Sequence, residues 1–166
     1  MGDVRILAFL ALALVVGACA TATPSQPAVS PSPAAVACAA QVDRGVLPSW
    51  ARAGFTDPEP KMPHAVGRSD KIAAILFGDP LSSPPSTDHS NKILWVPQLG
   101  YASAQALAIS AQRMEGAAPV GAPVERRVEG GPGPSIIDLP DPGCWRLTLA
   151  WSGWTDTLDL EYVAPG

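Results

Sequence analysis

From Cys144 to Val163 the chain alternates apolar and polar residues almost one for one, and that period fixes the local backbone. Trp145, Leu147, Leu149 and Trp151 fall on one side, and Cys144, Arg146, Thr148 and Ala150 on the other. Side chains that change face at every residue belong to a strand half buried in a sheet. Ser152-Gly153 interrupts the pattern, and Thr155 to Val163 resumes it with Leu158, Leu160 and Tyr162 toward a core and Asp159 and Glu161 toward water. The two runs predict a hairpin whose charged outer face discourages pairing with another chain.

The rest of the chain supports the same class of structure. Nineteen prolines and fifteen glycines among 166 residues break it into brief segments, which suits short strands joined by turns better than long helices. Lys71 to Phe77 is a nearly continuous apolar run, and Asn91 to Val96 is apolar on both faces until Pro97 stops it. In Ala104 to Arg113, Leu107, Ile109 and Ala111 share a face at strand period, although the alanines also allow a helix. Val124 to Val128 brackets the charged trio Glu125, Arg126 and Arg127, and Ser135 to Leu139 is a short apolar piece closed by Pro140. Six or seven such strands in roughly a hundred residues predict an all-β, two-sheet antiparallel sandwich of immunoglobulin-like architecture over residues 41–166, with the sheets about 10 Å apart.

The formal charge is -4, and the eleven Lys and Arg residues are scattered. A phosphate-binding surface needs them clustered, so nucleic acid is not expected as a partner. No cofactor is expected either.

The amino end has a different character. Arg5 precedes an apolar run from Ile6 to Val16, long enough for the core of an export signal and short of the roughly 20 residues that span a bilayer as a helix. The run ends in Val16-Gly17-Ala18-Cys19, which resembles the lipobox of bacterial lipoproteins. The resemblance implies removal of residues 1–18, a diacylglycerol on the Cys19 sulfur, often a third acyl chain on its nitrogen, and a membrane partner reached through that lipid. It places the protein on a cell membrane, facing the exterior or the periplasm. Two acyl chains hold lastingly where one binds only marginally. Residues 19–40 then form a tether, because Ala20 to Ala40 carries no charge and no aromatic residue and so lacks the surface to bury in a fold. Pro24, Pro27, Pro31 and Pro33 bias it toward extended conformations of about 3 Å per residue.

With Cys19 assigned to lipid, Cys38 and Cys144 remain as a pair. In an oxidising compartment they can form one disulfide, worth about 4.7 kcal/mol on the chain-entropy estimate. Two free thiols on a metal are the alternative, without CxxC spacing to support them. A second resemblance rests on Leu47-Pro48, Ala51-Arg52-Ala53-Gly54-Phe55, Asn91 to Val96, Pro134-Ser135-Ile136 and Pro142 to Leu147. These segments are similar to those of small, functionally uncharacterised exported lipoproteins of Gram-positive bacteria. The likeness implies a β-sandwich and supplies no catalytic residue.

Few residues carry chemistry. Asp88, His89 and Ser90 have the residue types of a hydrolase triad, but three neighbours in one loop cannot line up nucleophile, base and orienting acid. His64, among Pro58, Pro60 and Pro63, reads as loop packing; Asp138 and Asp141, astride Leu139-Pro140, read as a turn without the ligand run of a calcium loop. Of the five tryptophans, Trp95 and Trp145 read as core. Trp154, beyond the Ser152-Gly153 turn, is the candidate for stacking against a ligand. The expectation is a non-enzymatic binding or interaction module whose partner is another envelope protein; a carbohydrate or cell-wall glycan binder is the alternative, and a small hydrolase using Asp88 or His89 the third reading.

Overall fold

A computed structural model describes Cys38 and residues 42–165. The export segment 1–18, Cys19 and the tether up to residue 40, apart from Cys38, lie outside the described residues.

The described residues form nine strands, β1 (His64–Val66), β2 (Ile72–Leu76), β3 (Leu81–Ser82), β4 (Lys92–Pro97), β5 (Leu107–Glu115), β6 (Ala118–Val128), β7 (Pro134–Ile136), β8 (Gly143–Trp151) and β9 (Trp154–Val163). They form a four-stranded sheet in the order β1-β2-β4-β7 and a five-stranded sheet in the order β3-β9-β8-β5-β6. The expected all-β sandwich is what forms. Variable-type immunoglobulin sandwiches place strands C′, C, F and G in one sheet and A, B and E in the other. Here β6-β5-β8-β9 and β2-β4-β7 occupy those places in the same chain order.

The expectation of six or seven antiparallel strands needs correction in two respects. β1 and β3 were not foreseen, because strands of three and two residues are too short to show a period, and His64 therefore lies on a strand and not in a loop. The sheets are also not wholly antiparallel: β3 runs parallel to β9, with Leu81 beside Tyr162 and Ser82 beside Val163. The helix alternative for Ala104 to Arg113 is replaced by β5, paired on one side with β6 and on the other with β8.

The inward rows of both sheets meet in one core. Trp95, Ile93 and Leu76 from the first sheet are buried with Leu107, Ile109, Trp145, Leu147, Leu149, Leu158, Leu160 and Tyr162 from the second. Burying side chains of this size is the main term holding such a sandwich together, at about 1.5–3 kcal/mol for each large apolar group. β2 is buried at every position. Its alternate residues Ala73 and Ile75 are buried outside the main cluster, as are Leu47 and Ala51. Those last two belong to the segment bridged to the β1 region through Asp43–His64 and Val46–Lys61.

Polar ties reach from the second sheet to the β7–β8 connection. Tyr162 donates its hydroxyl to the Ile137 carbonyl at 2.7 Å, and Arg126 donates from Nε and Nη2 to the Asp138 carbonyl at 3.0 and 2.8 Å. Burial pushes the Tyr162 hydroxyl well above its ordinary range, with the Asp138 charge adding to the effect. At one end of the five-stranded sheet a disulfide joins Cys38 to Cys144, with the Cα atoms 5.1 Å apart and 106 residues separating them in the chain.

Candidate functional site

β8 and β9 run antiparallel from Gly143↔Tyr162 to Trp151↔Trp154. Ser152 and Gly153 close the hairpin with φ of 46° and 78°, positive at both central positions as a two-residue type I′ turn requires. Glycine meets that demand without strain, and the tight turn projects Trp154 at the end of the sheet. Trp154 lies on the inward row with Leu158 and Leu160, but beyond the end of the core, and it is 42% exposed.

The connection between β4 and β5 reaches the same end. Residues Leu99–Tyr101 form a single 3-10 turn, held at its base by the Gln98 amide donating to the Lys71 carbonyl and by Trp151 Nε1 donating to the Tyr101 carbonyl at 2.7 Å. The Tyr101 ring meets Trp154 edge to face, centroids 4.9 Å apart and planes at 81°. Leu99 stands beside Tyr101 in the chain and is 92% exposed. The result is an aromatic corner at the end of the sheet, with Tyr101 partly buried against the core and Trp154 partly exposed.

The polar groups around this corner are engaged with one another. The Ser103 and Ser152 hydroxyls share a short hydrogen bond, and Ser103 Oγ also accepts the Gln105 amide. Lys71 Nζ donates to the Thr155 carbonyl at 2.9 Å. On the far side, Gly131 at φ 109° lies so close to the Ser103 carbonyl that a Cβ there would overlap it, which brings the β6–β7 loop alongside. Leu99, Tyr101, Ser103, Ser152 and Trp154 carry no charge; the ionisable groups Asp70, Lys71 and Glu129 belong to the flanking loops.

Of the sequence candidates, Trp154 is thus placed at an exposed tip, while Trp95, Trp145 and Trp151 are buried. Leu99 and Tyr101 were not singled out by sequence. Their only signal is an apolar pair in a segment otherwise built of turn residues after Pro97. Cys38 and Cys144 are bonded at the opposite end of β8; the seven steps from Cys144 to Trp151 span about 23 Å at ~3.3 Å per residue.

The other candidates are scattered. Asp88 is exposed, and His89 hydrogen-bonds through Nε2 to the Pro80 carbonyl at 2.9 Å. Among the described residues no Ser or Cys side chain is hydrogen-bonded to His89. His64 is buried on β1 with Nδ1 hydrogen-bonded to the Met62 carbonyl. Asp138 accepts from Asn91 Nδ2 at 2.8 Å, the Asp141 carbonyl accepts from Trp145 Nε1, and no cluster of potential metal ligands occurs among the described residues.

Asp159 corrects another expectation. It faces away from the core yet is buried, because Arg146 and Arg68 close over it, with Arg146 Nε at 2.9 Å and Arg68 Nη2 at 2.8 Å. Burial alone would raise its carboxyl, but the hydrogen bonds and charges of the two guanidinium groups prevail and hold it below the usual carboxylate range. A cavity of about 160 Å³ opens at the disulfide end between Leu76, Leu81 and Leu160, with the Arg44–Asp79 pair among its lining. It falls below the several hundred Å³ usual for small-molecule sites. Comparisons with known protein families, with curated proteins and with solved structures find no match for this chain.

Proposed function

We propose that the protein is an exported lipoprotein, acylated at Cys19 on the outer side of a membrane, whose sandwich is a non-catalytic binding module. The observation that carries this reading is the opposition of its two ends. Cys38, the first described residue, is fixed to one end of β8, and the aromatic corner stands at the other. A chain held at its amino end by lipid thereby turns the corner away from its attachment.

The lipid is tested directly. Cells fed labelled palmitate incorporate label into the protein, and Cys19→Ala abolishes labelling and moves the chain to the soluble fraction. Label that persists in the Cys19→Ala chain sinks the assignment. The exposed ring of Trp154 favours a cell-wall glycan as a second reading, for which retention on insoluble peptidoglycan is the assay and loss of that retention in Trp154→Ala the required control.

A further inference from the structure

We propose that the Cys38–Cys144 bond is the redox catch of a strap, residues 42–63, and that its reduction by a dithiol lets the strap open and uncovers the outer side of β2. The inference goes beyond binding at the tip and does not depend on a lipid at Cys19.

Ala73 and Ile75 of β2 turn away from the main core, and His64 stands opposite Ile75 in β1, yet none of the three reaches water. Leu47 and Ala51 of the strap are fully buried as well, again outside that core. Among the described residues the other buried apolar side chain outside it is Met114, which lies opposite Cys144 in the second sheet. The strap and the outer side of β2 therefore cover each other.

Few contacts besides the catch hold the strap in place. Its backbone meets β1 through two bonds exchanged between Asp43 and His64, both 2.8 Å, and Leu47 donates its amide to the Pro60 carbonyl at 2.9 Å. The Arg44–Asp79 pair has its arginine 63% exposed, a setting in which an ion pair contributes little. Residues 56–59 are exposed throughout. Segments held this lightly open well before the domain unfolds.

The strap runs into β1 at its carboxyl end and is tied to β8 through Cys38 at its amino end. While the bond stands, the strap can open only as a closed loop. Cutting it frees one end of a loop of about 26 residues, which on the chain-entropy scale favours the open form by at most roughly 400-fold. Ala73 and Ile75 pair with Val96 and Leu94 of β4, so release turns a shielded pair into an apolar strip across two strands.

Both cysteines are only partly buried, within reach of an external thiol. One thiolate of the dithiol attacks a sulfur of the bond, and the other sulfur leaves and takes up a proton. The second thiol of the dithiol then displaces the first cysteine and is itself oxidised, so that the reagent departs as a disulfide and two electrons and two protons stay on Cys38 and Cys144. Reoxidation runs the sequence backwards.

The test places a thiol on either side of β2. Ala73→Cys lies under the strap and Ala74→Cys in the main core. Each is made in the full chain with the native bond intact and again with Cys38→Ser and Cys144→Ser, and alkylation by iodoacetamide reports opening. Without the bond, position 73 reacts at least roughly 30-fold faster than position 74, and at least roughly 30-fold faster than it does with the bond intact. In the unsubstituted chain dithiothreitol has the same effect on amide exchange, the Asp43 and Leu47 amides exceeding that of Leu147 by the same ratio, which decides the matter should a cysteine in β2 prevent folding. Equal rates at positions 73 and 74 once the bond is gone mean opening of the whole domain, and an unchanged rate at position 73 means a strap that the bond does not hold. Either result, or any ratio short of the stated one, overturns the proposal.

Discussion

Removing the Asp156 carboxylate should unfasten the β1–β2 turn from β9 and destabilise the whole domain by about 3 kcal/mol. The side chain is 3% exposed and lies on the inward row opposite Leu149. Its Oδ1 accepts the Ser69 and Thr157 amides at 2.9 and 2.8 Å, and its Oδ2 accepts the Lys71 amide at 3.0 Å. Hydrogen bonds to a charged acceptor contribute about 1.5–3 kcal/mol each. Ser69 is exposed and Lys71 half-buried, so water replaces part of what is lost in Asp156→Ala, and the lower end of that range, about 1.5 kcal/mol, applies to each of the two bonds that reach the β1–β2 turn. At the scale of a domain this size, 3 kcal/mol is a fall of about 10 °C in Tm. Asp156→Asn keeps Oδ1 and turns an NH2 group toward the Lys71 amide, so it should cost about half as much. Urea unfolding followed by far-ultraviolet dichroism gives both values. Amide exchange should accelerate at Lys71 and Gln98 more than at Leu147, since the Gln98 amide bonds to the Lys71 carbonyl. The reasoning fails if Asp156→Ala costs less than about 0.5 kcal/mol, which would mean that the desolvation of the carboxylate cancels its hydrogen bonds.

Three further outcomes are expected. Reducing the Cys38–Cys144 bond should lower stability by up to about 4.7 kcal/mol, and a urea midpoint indifferent to reductant would contradict it. Asp159 has a folded pKa below its unfolded value of ~3.9, so its contribution is present above about pH 4 and is lost as pH falls through the folded value. Asp159→Asn should therefore cost about 2 kcal/mol at pH 7, between the values for exposed and buried pairs, and much less at pH 3; equal costs at both would refute the linkage. Gln112 fills the bulge between Ala111 and Arg113 by donating from Nε2 to the Val120 carbonyl at 2.8 Å. Gln112→Ala should cost about 1 kcal/mol and speed amide exchange in β6, and protection in β6 that does not change would count against that role.

The terminal hairpin, the Ser152-Gly153 turn and the burial of Trp95 and Trp145 were legible because each depends on a local pattern. The pairing of β3 with β9 was not, since it joins residues some eighty positions apart through two residues of strand. Asp159 was misread because alternation assigns a face of the sheet and says nothing of what covers it; Arg68, which closes over it, comes from the β1–β2 turn. The tip was half legible. Trp154 follows a recognisable turn, but Leu99 and Tyr101 lie in a segment with no period, and it is long-range contacts that place them: the Gln98 amide on the Lys71 carbonyl, the Trp151 bond to the Tyr101 carbonyl and the edge contact with Trp154.

The sulfur bridge also decides how the domain would bear mechanical load. Tension between the upstream chain and anything gripping the β8–β9 turn passes from Cys38 through the bridge into Cys144 and then along β8 to Trp151, about 23 Å of extended backbone flanked by β5 and β9 on either side. Failure there would require a row of ladder bonds to shear together, while the 106-residue loop holding β1 to β7 stays slack outside the line of force.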